Sequence, residues 1–224
     1  LTIRNTEFTN DTLTLLKVTN SIVENAVFEV NDFTGIYVGQ YSASNRFNNL
    51  SFSAPAAITG NRAFEIVTSH YHRFSNITVE GPVRSVSSSS SNHLVFDGMH
   101  IDTYDSSANL FFSSGTNVTM KNFFVNASGN YAQPIEARGV TNLYIDNATL
   151  IGAVTGSASA GIIISTGPSS AVINNSYIMM STGTAADVRI AGSNTAQVEI
   201  HNSVVGPCYT RTVIYAHTDL AAGS

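Results

Sequence analysis

The sequence predicts an all-β chain, a single right-handed parallel β-helix of about nine coils that occupies residues 1–224 as one domain. Three observations carry this expectation. A six-residue pattern recurs nine times at nearly constant spacing, each copy turns about an Asn or a Gly, and short apolar runs lie between the copies. No stretch shows the three-to-four-residue spacing of an amphipathic helix; apolar residues alternate in runs of four to six, broken by Gly, Ser, Asn and Thr.

Taken in order, the copies begin with Ile3-Arg4-Asn5-Thr6-Glu7-Phe8, Val23-Glu24-Asn25-Ala26-Val27-Phe28 and Phe47-Asn48-Asn49-Leu50-Ser51-Phe52. Next come Phe74-Ser75-Asn76-Ile77-Thr78-Val79, Phe96-Asp97-Gly98-Met99-His100-Ile101 and Met120-Lys121-Asn122-Phe123-Phe124-Val125. The last three are Ile145-Asp146-Asn147-Ala148-Thr149-Leu150, Ile173-Asn174-Asn175-Ser176-Tyr177-Ile178 and Ile200-His201-Asn202-Ser203-Val204-Val205. The third positions are separated by 20, 24, 27, 22, 24, 25, 28 and 27 residues. Between them run a second set of strands, among them Gly35–Gly39, Ala63–Val67, Asn109–Phe112, Pro134–Ala137, Gly161–Ile164, Asp187–Ile190 and Thr212–Tyr215. A fixed period with two strands per repeat is the signature of a solenoid. Nine coils at the ~4.8 Å spacing of paired strands make a rod on the order of 40 Å long.

The recurrent Asn has a physical reason. Apolar residues stand two before it, one after it and three after it, so the buried face switches at that point. A corner of this kind needs a left-handed backbone, which Asn tolerates best after Gly. Gly98 in the fifth copy is the other residue the corner admits. Asn side chains stacked on successive coils are expected to form a hydrogen-bonded ladder.

Composition excludes more than it identifies. Charged residues make up 11% of the chain against roughly a quarter in ordinary domains. The net charge is −5 and the ten basic residues are scattered, which argues against nucleic acid and anionic membranes as partners. No apolar run reaches the ~20 residues of a membrane span. The single Cys208 excludes an intrachain disulfide framework. Leu1-Thr2-Ile3-Arg4 already alternates, so the segment reads as part of a longer chain.

In these coils the chain resembles the pectate lyase-like superfamily, whose coils are of this length and carry an asparagine ladder at a tight turn. The resemblance spans essentially the whole chain and is one of architecture. The Asn-Thr-Asp and Arg-Ile-Lys signatures of plant-wall polygalacturonases do not occur. Low charge, few cysteines and abundant Asn, Ser, Thr and Gly make it most similar to a bacteriophage tailspike. The resemblance implies an extracellular or virion-surface location, a parallel homotrimer, and a depolymerase of bacterial surface polysaccharide acting as glycosidase or lyase. The alternative is a non-catalytic shaft or adhesin passenger. No cofactor and no metal is expected.

Positions one before, two after and four after the turn residue point outward, and there chemistry can reside. Glu80 and Asp102 share the four-after column in adjacent coils, with His100 two residues before Asp102 and Thr78 beside it. Two carboxyls ~5 Å apart repel, which separates their proton affinities and suits acid–base or retaining glycoside hydrolysis. His100 or Tyr104 is the alternative base for elimination. Tyr104, Asp105 and Arg73 are the expected substrate-binding residues, lying nearby in sequence. Gly81-Pro82 threatens to end the strand before Glu80 stacks.

Other candidates carry less. Glu65, Glu136, Arg138 and Arg189 belong to the second strand register, but Glu65 and Glu136 are three coils apart, ~14 Å, too far for either hydrolytic geometry. His70 and His72 alternate like two metal ligands without a third. Arg4 and Glu24 form an expected surface ion pair of little energetic value. Val27, Phe124, Tyr177, Val204, Ile151 and Met179 would be outward apolar residues, covered either by loops or by another chain. The run Ser85–Ser91 reads as a flexible loop or as stacked Ser in a bend.

Overall fold

A computed structural model of the chain describes residues 1–31, 34–54, 61–104, 108–128, 133–152, 160–165, 170–180, 186–191, 197–206 and 214–217. In chain order the strands are β1 (Thr2–Thr9), β2 (Leu13–Leu16), β3 (Ile22–Glu29), β4 (Thr34–Gly39), β5 (Arg46–Ser53), β6 (Arg62–Val67) and β7 (Arg73–Glu80). They continue with β8 (Arg84–Ser89), β9 (Asn92–Thr103), β10 (Ala108–Ser113), β11 (Thr116–Ala127), β12 (Gln133–Arg138), β13 (Thr141–Gly152) and β14 (Ala160–Ser165). The last are β15 (Ser170–Asn174), β16 (Tyr177–Met180), β17 (Ala186–Ala191), β18 (Gln197–His201), β19 (Val204–Val205) and β20 (Ile214–His217).

The strands form two parallel sheets that alternate along the chain. The first runs β1-β3-β5-β7-β9-β11-β13-β15-β18, with β16 pairing β13 and β19, and the second runs β2-β4-β6-β8-β10-β12-β14-β17-β20. The fold is a parallel β-solenoid, and no described residue is helical.

All nine turn residues have the left-handed backbone: φ is 48–53° at the eight Asn and 73° at Gly98. Each turns the chain, bending a strand at most corners and separating β15 from β16 and β18 from β19 at Asn175 and Asn202, so the residues two before, one after and three after face inward. The ladder forms, but unevenly. Asn25 Nδ2 donates to Asn5 Oδ1 at 3.2 Å, Asn49 to Asn25 at 2.9 Å, and Asn147 to Asn122 at 2.9 Å. Elsewhere the rung runs to the side chain one residue before the corner: Asn76 to Asn48 Oδ1, Asn122 to Asp97 Oδ1, and Asn175 to Asp146 Oδ1. Asp97 serves because Gly98 supplies no side chain.

Identical register also stacks the core. Phe8, Phe28 and Phe52 lie ring on ring at 4.6 and 4.8 Å, and Phe47, Phe74 and Phe96 at 4.8 and 4.6 Å. Phe64 of the second sheet meets Phe47, Phe52 and Phe74 edge-on, locking the two sheets together.

Two further corners recur in the described coils from β1 to β13, and the repeat does not mark them. One carries Lys17, Gln40, Thr68, Ser90 and Ser114 at positive φ; the other carries Asn20, Ser44, Tyr71, His93, Asn117 and Asn142. Between the two corners lie Ser42, Ser69 and Ser91, and just after the second lie Asn45 and His72; all five are buried and form a polar column. The Ser85–Ser89 part of the serine run is neither loop nor bend but lies in strand β8, where Ser87 and Ser88 pair with Glu65 and Ile66; only Ser91 joins the buried polar column at the corner. His70 and His72 flank a corner instead of alternating along a strand. Both spend Nδ1 on a backbone N–H, of Asn92 at 3.2 Å and of Asn45 at 3.2 Å respectively, which removes the arrangement a shared metal would need.

Candidate functional site

The corners at Asn76 and Gly98 set the register of β7 against β9. Thr78 falls opposite His100, and Glu80 falls opposite Asp102. The strand does not end early: Glu80 is the last residue of β7, and Gly81 N–H still donates to the Asp102 carbonyl at 3.1 Å. Only glycine fits that point. Its φ is +94°, and a Cβ would stand 2.6 Å from the Ala54 carbonyl oxygen. Gly81 thus turns the chain immediately after Glu80 without breaking the ladder beneath it.

Glu80, His100, Asp102 and Tyr104 are all exposed. Asn126 Nδ2 donates to Asp102 Oδ1 at 3.2 Å, and among the described residues the other carboxylate oxygen has no hydrogen-bond partner. The His100 ring lies on the Phe124 ring at 4.9 Å and 16°. Together with Thr149 these rings border a shallow depression of about 400 Å³ along the ladder corner. The site therefore offers two neighbouring carboxylates at strand spacing and an imidazole one pleat away, stacked on the half-buried Phe124 of the next coil. Phe124, Thr149 and Asn126 were not among the sequence candidates for this site. Their columns were legible, since each follows its corner by two or four residues.

Arg73 does not join this group. It opens β7 seven residues before Glu80, up to about 23 Å along the strand. There it faces Asp97 at 3.7 Å. Asp105 lies outside the described residues.

On the second sheet, Phe111 lies between Ser87 and Glu136, and Ser87 pairs Glu65, so the two carboxylates are three coils apart. Each has a local partner. Glu65 is bound by Arg62 at 2.9 Å, and Glu136, 7% exposed, by Arg138 Nε at 2.5 Å. Arg84 and Arg138 both lie over the Phe111 ring, at 5.7 and 5.2 Å. These groups are spent on one another. Arg4 Nε meets Glu24 Oε1 as expected, with both side chains partly in solvent.

The outward column two after the corner leaves Val27 (47%), Tyr177 (36%) and Val204 (56%) exposed, while Phe124 is half-buried against His100. Ile151 and Met179, in the next column, are also half-buried.

Architecture alone places the chain in a class, that of the parallel β-solenoids. No protein-family model matches it. No curated protein matches it either.

Proposed function

We propose that the outward face of the first sheet binds a bacterial surface polysaccharide and cleaves it, in the manner of the pectate lyase-like and tailspike depolymerases the sequence resembles. The register pair Glu80–Asp102 carries this reading. One carboxyl donates a proton to the glycosidic oxygen, while the other attacks the anomeric carbon or activates water. Strand spacing of ~4.8 Å is close to the separation retaining enzymes use. His100, stacked on Phe124 two residues before Asp102, is the candidate base for uronate elimination, and exposed Tyr104 follows Asp102 by two residues. The proposal places the protein outside the cell or on a virion.

The test is incubation with a panel of capsular and O-antigen polysaccharides, followed by reducing ends and by the ultraviolet absorbance of an unsaturated product. Reducing ends alone identify hydrolysis, and both signals identify elimination. No cleavage across the panel sinks the enzymatic reading.

One observation favours a second reading, a non-catalytic shaft or adhesin. Val27, Tyr177 and Val204 lie exposed in one outward column, which a parallel homotrimer would cover. Sedimentation equilibrium on this chain gives the mass; a trimer that cleaves nothing supports the shaft.

A further inference from the structure

A second depression opens on the same sheet, at the corner where the chain enters it. It holds about 430 Å³, and its lining includes Ser44, Asn45, Arg46, Tyr71 and Arg73. Three features distinguish it. First, Arg46 and Arg73 are directly opposed on adjacent strands, and both are exposed. Like charges in this relation repel. Asp97 offsets Arg73 only at 3.7 Å, and among the described residues no carboxylate forms an ion pair with Arg46.

Second, the corner residue is aromatic. Other coils place the short polar residues Asn20, Ser44, Asn117 and Asn142 at this left-handed position; here Tyr71 and His93, with φ of 61° and 57°, present rings instead.

Third, the Tyr71 ring has one face covered and one free. It lies flat on His93 at 4.5 Å and 6°. The matching residue of the preceding coil is Ser44, too small to cover the other face, and Tyr71 is 58% exposed.

Two guanidinium groups without a full carboxylate complement beside one open aromatic face recognise a particular chemistry. Guanidinium forks take carboxylate or sulfate oxygens in pairs. The ring takes the apolar face of a pyranose, with the tyrosine hydroxyl left in water. We infer that this depression is a subsite for an anionic sugar residue, a uronate or a sulfated hexose, within a polysaccharide chain. This rests on the polysaccharide reading for the polymer, but not on the chemistry assigned to Glu80 and Asp102. It also gives Arg73 a role in binding distant from those carboxylates, so that a chain of several sugars would span both places.

The test is titration calorimetry with hexagalacturonate, a chondroitin sulfate hexasaccharide and maltohexaose, each with thermal midpoints recorded. An acidic oligosaccharide should bind and maltohexaose should not. The double variant Arg46→Gln/Arg73→Gln should weaken acidic binding by about tenfold or more with its midpoint unchanged or raised, because the repulsion is gone. Tyr71→Asn places at this corner the residue found in other coils, so it should weaken binding while folding at least as well. Failure of both acidic ligands to bind, or unchanged binding in the folded arginine variant, would overturn the inference. Cleavage of a neutral polysaccharide without acidic binding overturns this subsite and spares the depolymerase reading. Acidic binding that persists in Glu80→Gln/Asp102→Asn, with no polymer cleaved by the parent chain, supports the subsite and overturns the catalytic reading.

Discussion

His72 Nδ1 accepts a hydrogen bond from the backbone N–H of Asn45, one coil away, at 3.2 Å. Its Nε2 lies 2.6 Å from Ser69 Oγ, which donates onward to the Ser42 carbonyl at 2.8 Å. The network thus assigns the proton of the neutral ring to Nε2. Burial, reinforced by neighbouring His70 and opposed by the Ser42 backbone contact, lowers the His72 pKa to about 4. Protonation would place a second hydrogen where Asn45 N–H already points.

Because the unfolded chain takes up this proton near pH 6.5 and the folded chain only near 4, the contribution is complete above about 6.5. It is lost as pH falls through that window, by about 3 kcal/mol in all. Denaturant midpoints measured from pH 7 to pH 4 should therefore drop, and His72→Gln should flatten the slope. An equal slope in the variant would remove His72 as its source.

Asn49 sits at φ 52° and donates to Asn25 Oδ1 at 2.9 Å. Asn49→Ala forces a Cβ-bearing residue with no polar compensation into the left-handed region, and should cost about 1–2 kcal/mol. Asn49→Gly should cost less, as Gly98 already occupies the equivalent corner. Thermal midpoints that ranked Ala above Gly would contradict this account of the turn.

Phe74 is fully buried between Phe47 and Phe96 and meets Phe64 edge-on at 5.0 Å. Phe74→Ala opens a cavity in the middle of the column and should destabilise by about 3–5 kcal/mol. A loss below 1 kcal/mol, on the order of a surface substitution, would mean that neighbouring coils collapse into the space.

Glu80→Gln and Asp102→Asn change exposed side chains and should each leave stability within about 0.5 kcal/mol of the parent. Each should lower depolymerisation by about 10²-fold or more on any polymer the parent cleaves. Retained cleavage in the folded double variant moves the chemistry elsewhere.

Gly81→Ala should act on both counts. With φ at +94° and the Ala54 carbonyl 2.6 Å from the new Cβ, the turn after β7 must shift, at a cost of about 2 kcal/mol. Glu80 would lose its register against Asp102, so the thermal midpoint and the cleavage rate should fall together.

The periodic part of the fold was legible because each corner leaves the same mark: an Asn or Gly, with apolar residues at fixed offsets. Those offsets sufficed to align Glu80 with Asp102 across 22 residues, and the register holds. The other corners left weaker marks, since Lys17, Gln40, Thr68 and Ser90 share a backbone conformation but no chemistry. That is why the strand within the serine run and the polar column around His72 escaped notice. Arg73, seven residues before Glu80 in the sequence, stands apart from it for a related reason: closeness along an extended strand is distance in space.

By itself the sequence determined an all-β solenoid, its turning residues and the composition of its outward columns, because these follow from local backbone preference and burial repeated coil after coil. Tertiary structure decided which outward residues act together. It separated Arg73 from the carboxylates and set it against Arg46. It laid His100 on Phe124 and Tyr71 on His93. It also spent Glu136 on Arg138 and His72 on the backbone. Such partnerships depend on the stacking of coils more than twenty residues apart, where no local preference reaches.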